Sequence, residues 1–289
     1  MALIELKELS KIYGFGEATT LALDEIDLSV EKGEFVAVMG PSGCGKTTLM
    51  NIIGLLDRPT NGSYMLDNRH VSRLRPNQQA KQRRDRIGFV FQNYNLLPRL
   101  NVIDNVSLPL AYRGMTPVRR AKRASDILEL VGLRDREYFY PRQLSGGQAQ
   151  RVAIARALIN SPSIIIADEP TGNLDSTDSL VVMELLAEIH RQGNTVLLVT
   201  HNPELTRHAN RVLYMHDGMI IGDEKTEIGS LARGVRRRYY QRSKTTDKDI
   251  AAGVSALMKK IPGKEITSRV TRSKTSKRKN ARRRKTVKP

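Results

Sequence analysis

The 289-residue chain reads as an α/β protein with a mostly parallel sheet, an antiparallel β layer, a helical insert and a basic C-terminal tail. Three observations carry that reading. Three short apolar runs break off at polar or glycine residues. Helical spacing dominates one long stretch between the first run and the second. The excess positive charge is confined to one end.

In chain order, Ile26-Asp27-Leu28-Ser29-Val30 alternates, as a half-exposed antiparallel strand does. Phe35-Val36-Ala37-Val38-Met39 is continuously apolar and stops at Gly40. Such runs suit strands buried on both faces of a parallel sheet. From 93 to 162 the pattern is mostly helical. Within it, Thr116-Pro117 marks a helix start, Ala121, Ala124, Ile127, Leu128 and Val131 keep helical spacing, and Gly132 ends it. A further helix is expected over Gln150–Ile159. Ile164-Ile165-Ile166-Ala167 runs into Asp168-Glu169, and Val196–Thr200 into His201. All three apolar runs therefore place chemistry at a strand's C-terminal end, where open α/β sheets bind ligands.

Charge divides the chain. The whole carries 48 Lys+Arg against 30 Asp+Glu, net +18. Residues 229–289 hold 21 of the basic residues and three acids, so 1–228 is balanced at 27 of each. The tail has too little apolar surface to offset its chain entropy and is expected to be largely disordered. It could serve an anionic membrane surface, since Ile250, Val254, Leu257, Met258 and Ile261 share one possible helix face. RNA binding through its Arg-Lys clusters is the other option. A single cysteine, Cys44, excludes a disulfide framework. No uncharged stretch exceeds twelve residues, against the ~20 of a membrane-spanning helix. The first residues lack a signal-peptide pattern, so neither a span nor a secretory leader is expected.

Gly40-Pro41-Ser42-Gly43-Cys44-Gly45-Lys46-Thr47 fits G-x-x-x-x-G-K-[ST] between a buried strand and a helix that opens near Lys46 and continues through Thr48. Its backbone N–H groups and the helix N-terminus suit a nucleotide's phosphates. Lys46 reaches the β- and γ-phosphates, and the Thr47 hydroxyl can hold Mg²⁺. The same helix end and Lys46 would favour a reactive thiolate at Cys44. Asp168 is the second Mg²⁺ candidate. Glu169 is placed to orient or deprotonate the attacking water, and His201 to touch the γ-phosphate. Gln92 could contact the metal or the water.

Leu144-Ser145-Gly146-Gly147-Gln148 completes a set, in order, that resembles the ATP-binding subunit of ABC transporters from about residue 2 to 224. The resemblance implies an ABC-type P-loop ATPase core with an antiparallel β subdomain and an α-helical subdomain. In it, 40–47 matches the Walker A motif, 164–168 Walker B with Glu169 as catalytic glutamate, Gln92 the Q-loop, His201 the switch histidine, and Asn173-Leu174-Asp175 the D-loop. Tyr13 matches the aromatic residue that stacks on adenine. Ser145, Gly146, Gly147, Gln148 and Asp175 would act on the opposite subunit's ATP, in a head-to-tail dimer with a second copy of the chain.

Gly54–Gly62 and Phe91–Pro98 further resemble the macrolide-exporter and lipoprotein-release subfamily, with Asn101 and Asp104 where Thr and Glu are usual. That implies a separate membrane permease, contacted through Asn93–Asn105. Its work would be efflux, lipoprotein release or mechanical signalling, with this chain peripheral on the cytoplasmic face. The alternative is a soluble ABC ATPase acting on RNA or the ribosome through the basic tail.

Overall fold

The computed structural model describes residues 2–14 and 18–226. The basic extension at 229–289, with every expectation placed on it, lies outside the described residues. The chain opens with β1 (Ala2–Tyr13), β2 (Thr20–Glu31) and β3 (Phe35–Met39), then α1 (Lys46–Ile53). Next come β4 (Asn61–Leu66), β5 (Arg69–His70), α2 (Pro76–Arg86) and β6 (Ile87–Phe91). Three helices follow, α3 (Val102–Ala111), α4 (Pro117–Leu130) and α5 (Gly146–Leu158). The chain then runs through β7 (Ile164–Asp168), α6 (Ser176–Arg191), β8 (Thr195–Val199), β9 (Arg211–His216) and β10 (Met219–Lys225).

Two sheets form. One has the order β10-β9-β3-β8-β7-β6 and is parallel except where β10 pairs antiparallel with β9. The other, β2-β1-β4-β5, is wholly antiparallel. The three apolar runs are the central strands β3, β8 and β7. Their pleat divides the core into two clusters. Phe35, Ala37, Ile165, Ala167, Val196 and Leu198 face the layer of α3 to α6. Val36, Val38, Ile164, Ile166, Leu197 and Val199 face α1 and the antiparallel sheet. Each such buried side chain contributes about 1.5–3 kcal/mol, which makes these strands the rigid base of everything at their ends.

The alternating stretch lies in β2, where Ile26, Leu28 and Val30 are buried and Asp27 and Ser29 exposed. The described residues between β6 and β7 are helical or irregular, with α3 packed on α4 and α5. The subfamily departures Asn101 and Asp104 form a helix cap: the Asn101 side-chain oxygen accepts the Asp104 N–H at 2.9 Å. Asn and Thr both cap, so the substitution keeps the chemistry.

One helix begins earlier than its apolar spacing indicates. α5 starts at Gly146 instead of Gln150, because Ser145 and Gln148 form a reciprocal capping box. Ser145 Oγ accepts the Gln148 N–H at 3.2 Å, and Gln148 Oε1 accepts the Ser145 N–H at 3.0 Å. α2 buries no residue, so it leaves no apolar period in the sequence.

Candidate nucleotide site

Parallel pairing aligns the strand ends. Phe91 of β6 pairs with Asp168 of β7, Asp168 with Val199 of β8, and Val38 of β3 with Val199. The phosphate loop, Asp168-Glu169, Thr200-His201 and Gln92 therefore emerge side by side at the carboxyl edge of one sheet.

Gly45 makes the turn into α1 with φ +99°, and a Cβ there would meet the Ala22 carbonyl at 2.6 Å, so only glycine fits. Lys46 is 8% exposed and folded inside the loop. Its ammonium donates to the Gly40 carbonyl at 2.9 Å and the Pro41 carbonyl at 2.7 Å. Gly43, Gly45, Lys46, Thr47 and Thr48 line a cleft of about 430 Å³. Its other wall is Thr20, Leu21 and Ala22 of β2 with Asp217 and Gly218 of the β9–β10 turn. Sequence reasoning missed that wall, because none of those residues belongs to a motif. The Cys44 sulfur is only 3% exposed, packed beneath the loop beside Gly40. The Lys46 ammonium lies 3.7 Å from that sulfur, and burial limits the access of a reagent to it.

Tyr13 ends β1. Its hydroxyl donates to Asp57 Oδ2 at 2.7 Å, and the Lys11 ammonium lies 4.6 Å from its ring centroid. The ring does not line the cleft wall, although its strand partner Thr20 does.

Asp168 carries a carboxyl pushed above the usual range, first by burial and then by the charge of Glu169, with Lys46 opposing. A half-buried carboxylate in that position is relieved by a hard cation, and the neighbouring Thr47 hydroxyl is a second oxygen donor. The donor set therefore fits Mg²⁺.

Glu169 has φ +44°, a left-handed conformation that costs a non-glycine residue about 1 kcal/mol. The surroundings hold it there. Its N–H donates to the Val199 carbonyl at 2.9 Å. Its Oε2 accepts the Thr200 hydroxyl at 3.1 Å, and its Oε1 accepts the His201 N–H at 2.9 Å. His201 Nδ1 lies 2.6 Å from the same Oε1. The carboxylate is thereby aimed by residues 31 and 32 positions away. Its side chain is 18% exposed, against 73% for His201. The two expected catalytic residues form one unit.

The Gln92 carboxamide donates to Asn173 Oδ1 at 3.3 Å, and Asn173 donates back to the Gln92 carbonyl at 3.2 Å. The Q-loop is thus tied to the D-loop through the Gln92 amide nitrogen and backbone carbonyl. Asp175 caps α6, accepting the Asp178 N–H at 2.8 Å. None of Ser145, Gly146, Gly147, Gln148 and Asp175 lines the phosphate-loop cleft of its own chain.

Gly147 is required to be glycine by a contact that no motif records. Its N–H donates to Asp178 Oδ2 at 3.1 Å, and a Cβ would stand 2.1 Å from the Asp178 carboxyl carbon. Gly147→Ala is expected to push the Asp178 carboxylate off the start of α5 and break that hydrogen bond. The measurement is the thermal midpoint of the nucleotide-free chain, which should fall by several degrees, as a ΔΔG of 1–3 kcal/mol would produce. An unchanged midpoint would show that the contact yields freely.

The ABC transporter family profile matches residues 23–172. An uncharacterized ABC transporter ATP-binding protein of Methanocaldococcus jannaschii is 51% identical over 219 residues, covering 76% of this chain and 98% of that protein. The macrolide export ATP-binding/permease protein MacB of Hyphomonas neptunium is 42% identical over 259 residues. That match takes in 90% of this chain but spans only 40% of the MacB protein's length. Among solved structures, a dimeric ATP-binding cassette in a post-hydrolysis state bound to ADP and Pi aligns with TM-score 0.72 and 44% identity, over 78% of this chain and 99% of that one. A phosphate loop, a Walker B strand, an oriented glutamate–histidine pair and a signature helix on one parallel sheet, together with these likenesses, lead to one statement: the chain belongs to the ABC transporter family, as one of its ATPase cassettes.

Proposed function

We propose that two copies of this chain close head to tail around two MgATP molecules and that closure drives a separate permease from the cytoplasmic face of a membrane. The head-to-tail arrangement is supported by a chain that holds each motif once. The similar solved cassettes are dimeric.

In the reaction a water attacks the γ-phosphorus and the bond to the β-phosphate oxygen breaks, leaving ADP and inorganic phosphate. Glu169 Oε1 accepts the water's proton, held in line by Thr200 and His201. Lys46 exchanges the two loop carbonyls for the β- and γ-phosphate oxygens. Thr47 and Asp168 would hold Mg²⁺, which would neutralise phosphate charge when bound. Two signature helices, each from the opposite copy, close the sites through their N-terminal N–H groups.

The observation that carries the permease is a second cavity of about 800 Å³ on another face, with β6 as its floor. Leu56, Phe89, Phe91, Leu108, Pro109 and Tyr112 give it an apolar lining, and Phe89 and Phe91 stack at 5.3 Å. Lys81, Arg83, Arg84 and Arg156 rim it. Although residues 1–228 are balanced in charge, 69–123 alone carries 13 Lys+Arg against two acids, Asp85 and Asp104. The occupant is therefore an amphipathic helix with carboxylates at its edges. Of the expected contact stretch Asn93–Asn105, only Asn95 lines this groove; the remaining lining comes from residues far apart in sequence.

The groove communicates with the nucleotide site. β6 ends at Phe91, directly before Gln92, and pairs in register with the strand that ends in Asp168. A helix that shifts against Phe89 and Phe91 moves the Q-loop and Walker B together. Tyr112, 71% exposed on the groove wall, is the probe. Full-length chain purified from detergent-solubilised membranes is expected to bring a permease with it, and Tyr112→Asp to lose it by at least tenfold. A wild-type preparation that retains no membrane protein would remove the permease from the proposal.

A further inference from the structure

We propose that Asp178 is an internal competitor for the γ-phosphate at the signature helix, and that it sets the ATP concentration at which the dimer closes. The proposal rests on the head-to-tail reading above.

The first turn of a helix has N–H groups without intrahelical partners. In α5 the Gln148 N–H is taken by Ser145 Oγ at 3.2 Å, and the Gly147 N–H by Asp178 Oδ2 at 3.1 Å. The first is a local cap. The second comes from a different helix, 31 residues on, and brings a full negative charge to the end of α5. A carboxylate there is favoured by the same partial positive charge that favours a phosphate. It also lies directly over the residue: the site of a Gly147 Cβ is 2.3 Å from both Asp178 oxygens. Asp178 thus covers a donor that the opposite copy's ATP needs, and two anions cannot share it.

In α6 the acidic side chain meets only that helix's own N-terminal dipole. Asp175 already caps that helix, accepting the Asp178 N–H at 2.8 Å. Arg151, one turn after Gly147 on α5, is close enough for its charge to interact with that of Asp178. Arg151 donates to the Val131 carbonyl at 3.1 Å, and its Nε is buried with no hydrogen-bond partner.

Displacement has a trigger within reach. Asp178 sits in the first turn of α6, directly after the D-loop, and the D-loop Asn173 is hydrogen-bonded to Gln92. Movement of the Q-loop pulls on the segment that carries the competitor. Closure of one site is thereby linked to release of the signature helix that serves the other.

The test uses the full-length chain carrying Glu169→Gln, with dimer formation followed by light scattering as ATP is raised. Adding Asp178→Asn keeps the side-chain shape and an acceptor oxygen but removes the charge. Asp178→Ala removes both. Each is expected to lower the half-maximal ATP concentration about tenfold, equivalent to ~1.4 kcal/mol. A brace that merely positions the loop would give the opposite sign, so a raised or unchanged concentration in both variants overturns the proposal. A Glu169→Gln chain with Asp178 intact that forms no dimer with ATP overturns the head-to-tail reading itself, and the proposal with it. Amide exchange of the nucleotide-free chain is a second readout. Gly147 N–H should exchange about tenfold faster in Asp178→Ala, and unchanged exchange also overturns the assignment.

Discussion

Glu169→Gln should bind ATP normally and accumulate as a closed dimer whose turnover is at least a thousandfold slower than wild type. Three features set that magnitude. A positioned general base contributes about 10²–10⁴-fold. The substitution is close to isosteric, so no cavity opens; the amide oxygen can keep the His201 N–H, and the NH2 group can donate to the Thr200 hydroxyl oxygen in its place. The charge that takes the water's proton is gone, while nothing that binds the phosphates has been touched, because Lys46, Thr47 and Asp168 are intact. Affinity and turnover should therefore separate. Phosphate release measured beside light scattering checks both. A variant with wild-type turnover would take Glu169 out of its role and leave its left-handed backbone and three hydrogen bonds without a functional account.

Lys46→Ala is expected to lose nucleotide binding by about 100-fold. The Lys46 ammonium is held inside the loop by two carbonyls at 2.9 and 2.7 Å, close to where the phosphates sit. Hydrogen bonds to charged groups are worth about 1.5–3 kcal/mol each, and two of them account for the loss. The same truncation strips the Gly40 and Pro41 carbonyls of their donor, so the loop should also loosen. A fluorescent ATP analogue gives the dissociation constant, and the thermal midpoint separates lost binding from lost fold. Affinity within threefold of wild type would mean that the backbone N–H groups hold the phosphates without the lysine.

Much of the molecule was legible because it is written locally. An apolar run of four or five residues that breaks off at Gly, Asp or Thr-His reports a strand buried on both faces, and β3, β7 and β8 are such strands. The phosphate loop is contiguous, so its turn, its lysine and its helix start are visible together. The start of α5 was misplaced for an equally local reason. Gly146 and Gly147 have no apolar side chain to count, and the capping box that begins the helix is a polar signal. α2 left no trace because a helix with no buried face has no period to detect.

The sequence by itself determined the class of protein and its ATPase chemistry. It also placed the net charge of +18 in the last 61 residues, away from a balanced body. Only the tertiary structure decided which side chains meet. It joined Glu169 to His201, tied Gln92 to Asn173, buried Cys44, gathered residues 56 to 160 into one groove, and set Asp178 on Gly147. The reason is physical. Periodicity and motif spacing encode backbone geometry and burial over a few residues. A hydrogen bond between groups 31 or 81 positions apart depends on how strands are ordered and helices packed, and the residues along the chain do not state that order.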